Sequence, residues 1–241
     1  MHRWMRYAAV IAVILLMGGG AGYWFYHNGA DQQLMVAVAN EGIVKEVVLP
    51  DGTRVWLNNL ATLKYPREFS EKERNVYLEG EAYFEVSKDP KHPFIVQTET
   101  IDVQVLGTHF NVDAYHDNPD IKTTLLSGSV AVSNKSNSVR MILKPNEIAI
   151  YNKVGNKLTR QVTKNAKDEI SWRDGEFIFD NLPLGEIARE LSNSFDTPIH
   201  IADTSLQSYR ISARFRNGED LETILSVLHH AGCLLYTSPS P

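Results

Sequence analysis

A single cysteine, Cys233, stands among the 241 residues. One thiol cannot close an intrachain disulfide, so the fold has to rest on its apolar core. Positive charge is also in short supply: 24 Lys and Arg face 29 Asp and Glu. An acidic body lacks the basic face that nucleic acid requires, which excludes that class of partner. Catalytic signatures are missing too. The chain holds no phosphate-binding glycine loop, no G-x-S-x-G elbow and no H-E-x-x-H zinc helix. The reading is therefore a protein that is not an enzyme and that uses no cofactor or metal.

Charge is wholly absent from one stretch, YAAVIAVILLMGGGAGYWFY at 7–26. At ~1.5 Å rise per residue these ~20 residues span ~30 Å as a helix, the thickness of a bilayer's hydrocarbon core. Arg3 and Arg6 precede it, and 27–33 carries only Asp31. The positive-inside rule then predicts a single transmembrane helix at 7–26 behind a short cytoplasmic stub at 1–6. The bulk then falls on the side of the membrane away from the cytoplasm. Tyr23, Trp24 and Tyr26 sit where an interfacial aromatic belt would lie. The competing reading is a cleaved signal peptide with its small-residue zone at Gly18–Gly22.

From Ile43 to Tyr151 the pattern is strand after strand. In Asn75–Val86, Val76, Leu78, Gly80, Ala82, Phe84 and Val86 alternate with Asn75, Tyr77, Glu79, Glu81, Tyr83 and Glu85. Strict alternation predicts one buried and one wet face. Upstream, Asp51-Gly52 between two apolar runs predicts a hairpin turn. Further strands are expected at Ile101–Leu106, His109–Ala114, Thr123–Val132, Val139–Leu143 and Ile148–Asn152. The string L-x-G-x-[AV] occurs twice, at Leu78–Ala82 and Leu126–Val130, too few copies to define a repeat. Short strands with frequent turns predict a mainly β, solenoid- or sandwich-like domain over 27–163, outside the cytoplasm.

The pattern changes after Lys164–Glu169, which reads as a linker. GEFIFDN predicts a strand with Phe177 and Phe179 on one side. Leu184, Ile187, Ala188, Leu191 and Phe195 follow a helical period, with Pro183 suited to the first turn. Strands are expected at Thr197–Asp203 and Tyr209–Phe215, and a second helix at Asp220–Gly232 with Asp220 as N-cap. The result is a small α+β domain at 170–232 in the order β-α-β-β-α, one strand short of a split βαβ fold. The Ser/Pro-rich end, 233–241, reads as a non-native tail, and Cys233 within it is given no redox role.

Several polar groups invite a chemical reading. Glu79, Glu81 and Glu85 share a strand face, and neighbours two apart lie ~7 Å from each other, within the range of glycosidase pairs. A row on one strand does not converge in a cleft, so a solvated face is preferred. His109, Asn111 and Asp113 also line up, but metal binding needs converging ligands. His229-His230 suits the C-terminal end of a helix dipole. For partner binding, Tyr209–Phe215 offers a sheet edge with Arg210, Arg214 and Arg216 around Phe215, a basic face for an acidic partner. Exposed aromatics at Trp56, Tyr77 and Tyr83 are a second candidate.

The strings LPDGTRVWLNN (49–59), YPREFSEKERNVYLEGEAYFEV (65–86), PFIVQT (93–98), VLGTHFNVDAY (105–115), TLLSGSVAV (124–132) and LKPNEIAIY (143–151) resemble the FecR family of membrane-tethered anti-sigma regulators, in its Bacteroidetes form. SWRDGEFIFDNLPLGEIARELS (171–192) resembles the small domain that follows in that subfamily. The resemblance implies a single-pass inner-membrane protein. Its periplasmic part would sense the signalling domain of a TonB-dependent outer-membrane receptor, and a cytoplasmic helical domain would control an extracytoplasmic-function sigma factor. Only six residues precede the apolar stretch here, so the sigma-binding domain is expected to be missing from this chain. The alternatives are a tethered carbohydrate-binding module on the Tyr/Glu face and a structural envelope adaptor.

Overall fold

The computed structural model describes residues 18–20, 34–40, 44–136, 138–216, 218–230 and 235–237. It separates two units, Met1–Gln33 and Leu34–Pro241. In the first, residues 18–20 are helical. The rest of the predicted span at 7–26 lies outside the described residues, as does Cys233. Among the described residues no helix is long and apolar enough to cross a membrane.

The second unit begins with thirteen strands joined in one continuous sheet system. They are β1 (Leu34–Val38), β2 (Lys45–Val48), β3 (Arg54–Leu57), β4 (Thr62–Pro66), β5 (Arg74–Glu85), β6 (Phe94–Gln97), β7 (Ile101–Val105), β8 (His109–Ala114), β9 (Asp120–Ser127), β10 (Val130–Asn134), β11 (Arg140–Leu143), β12 (Glu147–Asn152) and β13 (Lys157–Val162). Strand β5 belongs to two sheets. Its first half pairs with β4 and, in parallel, with β6. Its second half pairs with β3 and β8. The first sheet continues through β7 and β10 to β11, and the second through β9 and β12 to β13.

The change of sheet falls at Gly80, whose φ is +93°. A Cβ there would lie 2.7 Å from the Ala61 Cα. Only glycine combines that dihedral with so close an approach. The second L-x-G-x-[AV] string does the same work. Gly128, at φ +92°, ends β9 in the second sheet and leads into β10 in the first. The expected strand Thr123–Val132 is therefore two strands, broken at that crossing.

The inner faces meet in one core. Phe84 stacks on Phe110 at 5.1 Å and meets Phe94, from the other sheet, edge-on at 6.2 Å. Such pairs add ~0.5–1.5 kcal/mol each beyond area burial. The Asp51-Gly52 turn forms as predicted between β2 and β3. It is pinned from below by Arg74, which is 3% exposed. The Arg74 Nη1 donates to Asp51 Oδ2 at 2.7 Å and to the Ser87 carbonyl at 2.9 Å.

After a 3-10 turn at Asp168–Asp174 come β14 (Phe177–Pro183), α1 (Leu184–Phe195), β15 (Ile199–Ile201), β16 (Arg210–Phe215), α2 (Leu221–His230) and β17 (Leu235–Thr237). Asp220 caps α2: its Oδ1 accepts from the Thr223 amide at 2.8 Å. One expectation is corrected here. The stretch read as linker runs into an ordered turn, whose first residues are Asp168 and Glu169 and whose Ile170 and Trp172 are buried. Strand β17, within 233–241, pairs antiparallel with β15. Short runs without alternation hide strands of this kind.

Replacing Gly80 by alanine should lower unfolding stability by about 3 kcal/mol or more, through strain plus overpacking. Gly175, at φ +72° with no atom within 4 Å of a built Cβ, is the control. There alanine should cost only about 1 kcal/mol. Urea unfolding of the two variants side by side checks the difference.

Candidate functional site

The outer face of β5 was predicted wet, and its second half is not. Tyr83 is 3% exposed and packs with Ile170 and Trp172, joined by Val44, Trp56 and Leu126. Trp56 and Tyr83 lie 5.5 Å apart, and the Arg173 guanidinium sits over both rings at 5.4 and 5.3 Å. The 3-10 turn thus lies across the second sheet and lids its aromatic pair. Burial, helped by the Glu85 carboxylate, pushes the Tyr83 phenol up to about 12.

Beside this apolar patch runs a polar seam against α1. Glu81 from β5 accepts from Asn111 Nδ2 at 2.7 Å and from Asn58 Nδ2 at 2.8 Å. Asp113 from β8 and Asp120 from β9 line the same cleft, with Asp168 and Glu169 from the turn and Glu186 and Glu190 from α1. The cations on that lining are Lys122 and Arg189. Lys122 Nζ donates to Glu186 Oε2 at 2.6 Å, tying β9 to α1. Amide side chains reinforce the contact: Asn59 Nδ2 donates to the Asn193 carbonyl at 2.9 Å, and Asn193 Nδ2 to Asn118 Oδ1 at 3.4 Å.

Taking so many carboxyls out of water beside one another disfavours their charged forms. Burial first, then Asp113, holds Glu81 well above the ordinary carboxylate range. Burial also raises Asp113, against the pull of Lys122. Glu169 is raised in the same way. Glu190, desolvated and facing Glu169, is pushed up to about 8. For Lys122 burial acts downward, but Glu186 and the other carboxylates outweigh it and the net direction is up.

The residues singled out from sequence are dispersed. Glu79 is exposed, Glu81 enters the seam, and Glu85 accepts from the Tyr83 hydroxyl at 3.3 Å. His109 is exposed, Asn111 is buried and Asp113 joins the seam. Among the described residues no group of three His, Cys, Asp or Glu converges as a metal site. His229 and His230 are exposed, with His230 Nδ1 at 2.7 Å from the Ser226 carbonyl. The strands at 199–201 and 210–215 do not pair with each other, and β16 pairs only with β14 among the described residues. Arg210 donates to the Asn181 carbonyl, Arg214 reaches Asp168 at 3.9 Å, and Arg216 is exposed. Phe215 is a core residue at 5% exposure, edge-on to Phe179. The basic stripe is thus partly engaged at home, and Phe215 packs inward into the small domain's core.

Lys122, Glu169 and Glu190 had escaped sequence reading. A signal existed: Glu186, Glu190 and Asn193 fall at i, i+4 and i+7 beside the apolar stripe of α1, a second face with its own register. That face meets the β-sheets, while Leu184, Ile187 and Leu191 fill the small domain's own core.

Fold and seam together define a two-part protein: a body of β-sheets that share strands, capped on one outer face by a small α+β domain. The chain belongs to the FecR family. It matches the FecR protein family over residues 36–131 and the FecR C-terminal family over 176–238. Two crystal structures of a candidate anti-sigma factor from Parabacteroides distasonis ATCC 8503 are similar. One is 29% identical with a TM-score of 0.76, covering 85% of this chain and 100% of that one. The other is 28% identical with a TM-score of 0.73, covering 86% and 100%. No protein of curated function matches.

Lys122→Met should weaken the joint between the parts by about 1–2 kcal/mol, less than a fully buried pair because both partners remain about a third exposed. The loss should shrink when pH is lowered from 7.5 to 5, since protonated carboxyls no longer need the ammonium. Urea midpoints at the two pH values give the comparison.

Proposed function

We propose that this protein is a single-pass inner-membrane regulator that relays the state of a TonB-dependent outer-membrane receptor to an extracytoplasmic-function sigma factor. The observation that carries the reading is the pairing of both FecR segments in one chain, together with coverage of the whole crystallised chain of the Parabacteroides candidate anti-sigma factor. The charge-free stretch at 7–26 supports the tether, with the folded unit on the periplasmic side. The work is done by contact and not by turnover.

The β16 edge is the receptor-facing surface in this reading. Its ladder is used on one side only among the described residues, and Arg210 and Arg216 are exposed along it. An incoming strand can pair with such an edge, and acidic neighbours on that strand would meet the arginines. The glycan alternative finds less support, because Tyr83 is under the 3-10 turn and Glu81 is in the seam.

The full chain should sediment with membranes and resist an alkaline carbonate wash; release into the supernatant with residues 1–26 still attached contradicts the tether. In detergent it should retain the signalling domain of a receptor encoded beside its gene. Arg216→Glu should reduce that retention about tenfold and flatten its dependence on salt. Equal retention by wild type and variant removes β16 as the docking edge, and no retention of any neighbouring receptor removes the relay.

A further inference from the structure

We infer that the seam between the second sheet and α1 is a proton-operated latch: the small domain stays docked while the seam's carboxyl groups hold protons, and is released as they lose them. This goes beyond the relay and needs no assumption about which partner is sensed.

Geometry carries the argument. The carboxyls come from β5, β8, β9, the 3-10 turn and α1, so the seam exists only when the parts are together. Glu190 is faced by Glu81 and Asp113 from the sheet and by Lys122 on β9, and Asp120 lines the same cleft. Asp168 and Glu169 face it from the turn, and Glu186 and Arg189 from its own helix. Lys122 is already engaged by Glu186 at 2.6 Å. Arg189 is largely exposed. Arg214 reaches Asp168 from outside at 3.9 Å and Lys153 acts on Asp113, yet these four cations do not balance the seven acids of the lining, and no metal-holding group of acids exists among the described residues. What neutralises the seam is protons.

A second observation agrees. Asn111 is 4% exposed and its Oδ1 has no hydrogen-bond partner. Both Glu81 oxygens are met by amide NH2 groups. A proton on Glu81 creates a donor, and a half-turn of the Asn111 amide lets Oδ1 accept it in exchange for the bond that Nδ2 makes to the carboxylate.

The sign follows from linkage. When docked, Glu190 titrates near 8; released, it returns to the ordinary carboxylate range. Docking therefore takes up protons, is strongest at low pH, and weakens up to tenfold per pH unit per proton until the docked group has titrated. Lys122, shifted upward, contributes no change below its ordinary range.

The test is amide exchange of the full chain in detergent at pH 6 and pH 9, corrected for the intrinsic chemical rate. Segment 168–176 should exchange at least tenfold faster at pH 9, while 94–105 in the first sheet stays unchanged. Glu190→Gln should hold 168–176 protected at both pH values, and Glu169→Gln should reduce the rise. An unchanged wild-type rate overturns the latch. So does an equal rise in Glu190→Gln, or a matching rise in 94–105, which would mean general unfolding.

Discussion

A single strand has to serve two sheets, and the backbone can turn between them only where no Cβ stands. That constraint at Gly80 organises the rest of the second unit. Before it, β5 lies between β4 and β6; after it, between β3 and β8. The inward side chains close one core on both sides of the bend. The outward ones part company: Glu79 stays in water, while Glu81 and Tyr83, just past the bend, form the floor on which the small domain rests. The docking surface is thus a consequence of the kink.

Two forces of opposite sign meet on that floor. Ile170 and Trp172 bury apolar surface against Tyr83, Trp56 and Leu126, worth about 1.5–3 kcal/mol for each large side chain. The adjoining carboxyls lose hydration without enough counter-charge, which opposes the gain. The joint is therefore held by the small margin between apolar burial and carboxyl desolvation. A joint of that kind can be moved by a few kcal/mol of partner binding or by protons, whereas a wholly apolar one of equal area could not.

Local signals in the sequence were legible where one segment decides its own geometry. Asp51-Gly52 makes its turn, Asp220 caps its helix, and the alternation through Asn75–Val86 gives the inner face residue by residue. Strands β1, β4, β6 and β13 were not read, being short or largely exposed, so that no clean period of two shows. The seam was illegible for a different reason. Alternation tells that Glu81 and Tyr83 face away from the core; it does not tell what lies over them. Their cover comes from the distant turn at Asp168–Asp174 and from α1, and nothing local to either segment records the meeting. The acidic face of α1 was the one trace, visible as a period but not as a contact.

The same long-range geometry joins the exposed edge to the seam. Arg214 lies on β16, whose outer ladder is open among the described residues, and its guanidinium is 3.9 Å from Asp168 in the cleft. At that distance and about half exposed, the pair contributes little stability on its own. Its value is positional, since it supplies one of the few cations near a seam that has too many acids. An acidic strand adding to β16 would compete for Arg214 and leave Asp168 facing Glu169 and Glu190 with less compensation. Repulsion inside the seam would rise as the contact outside it forms. The proposed edge contact and the proposed latch share this one side chain.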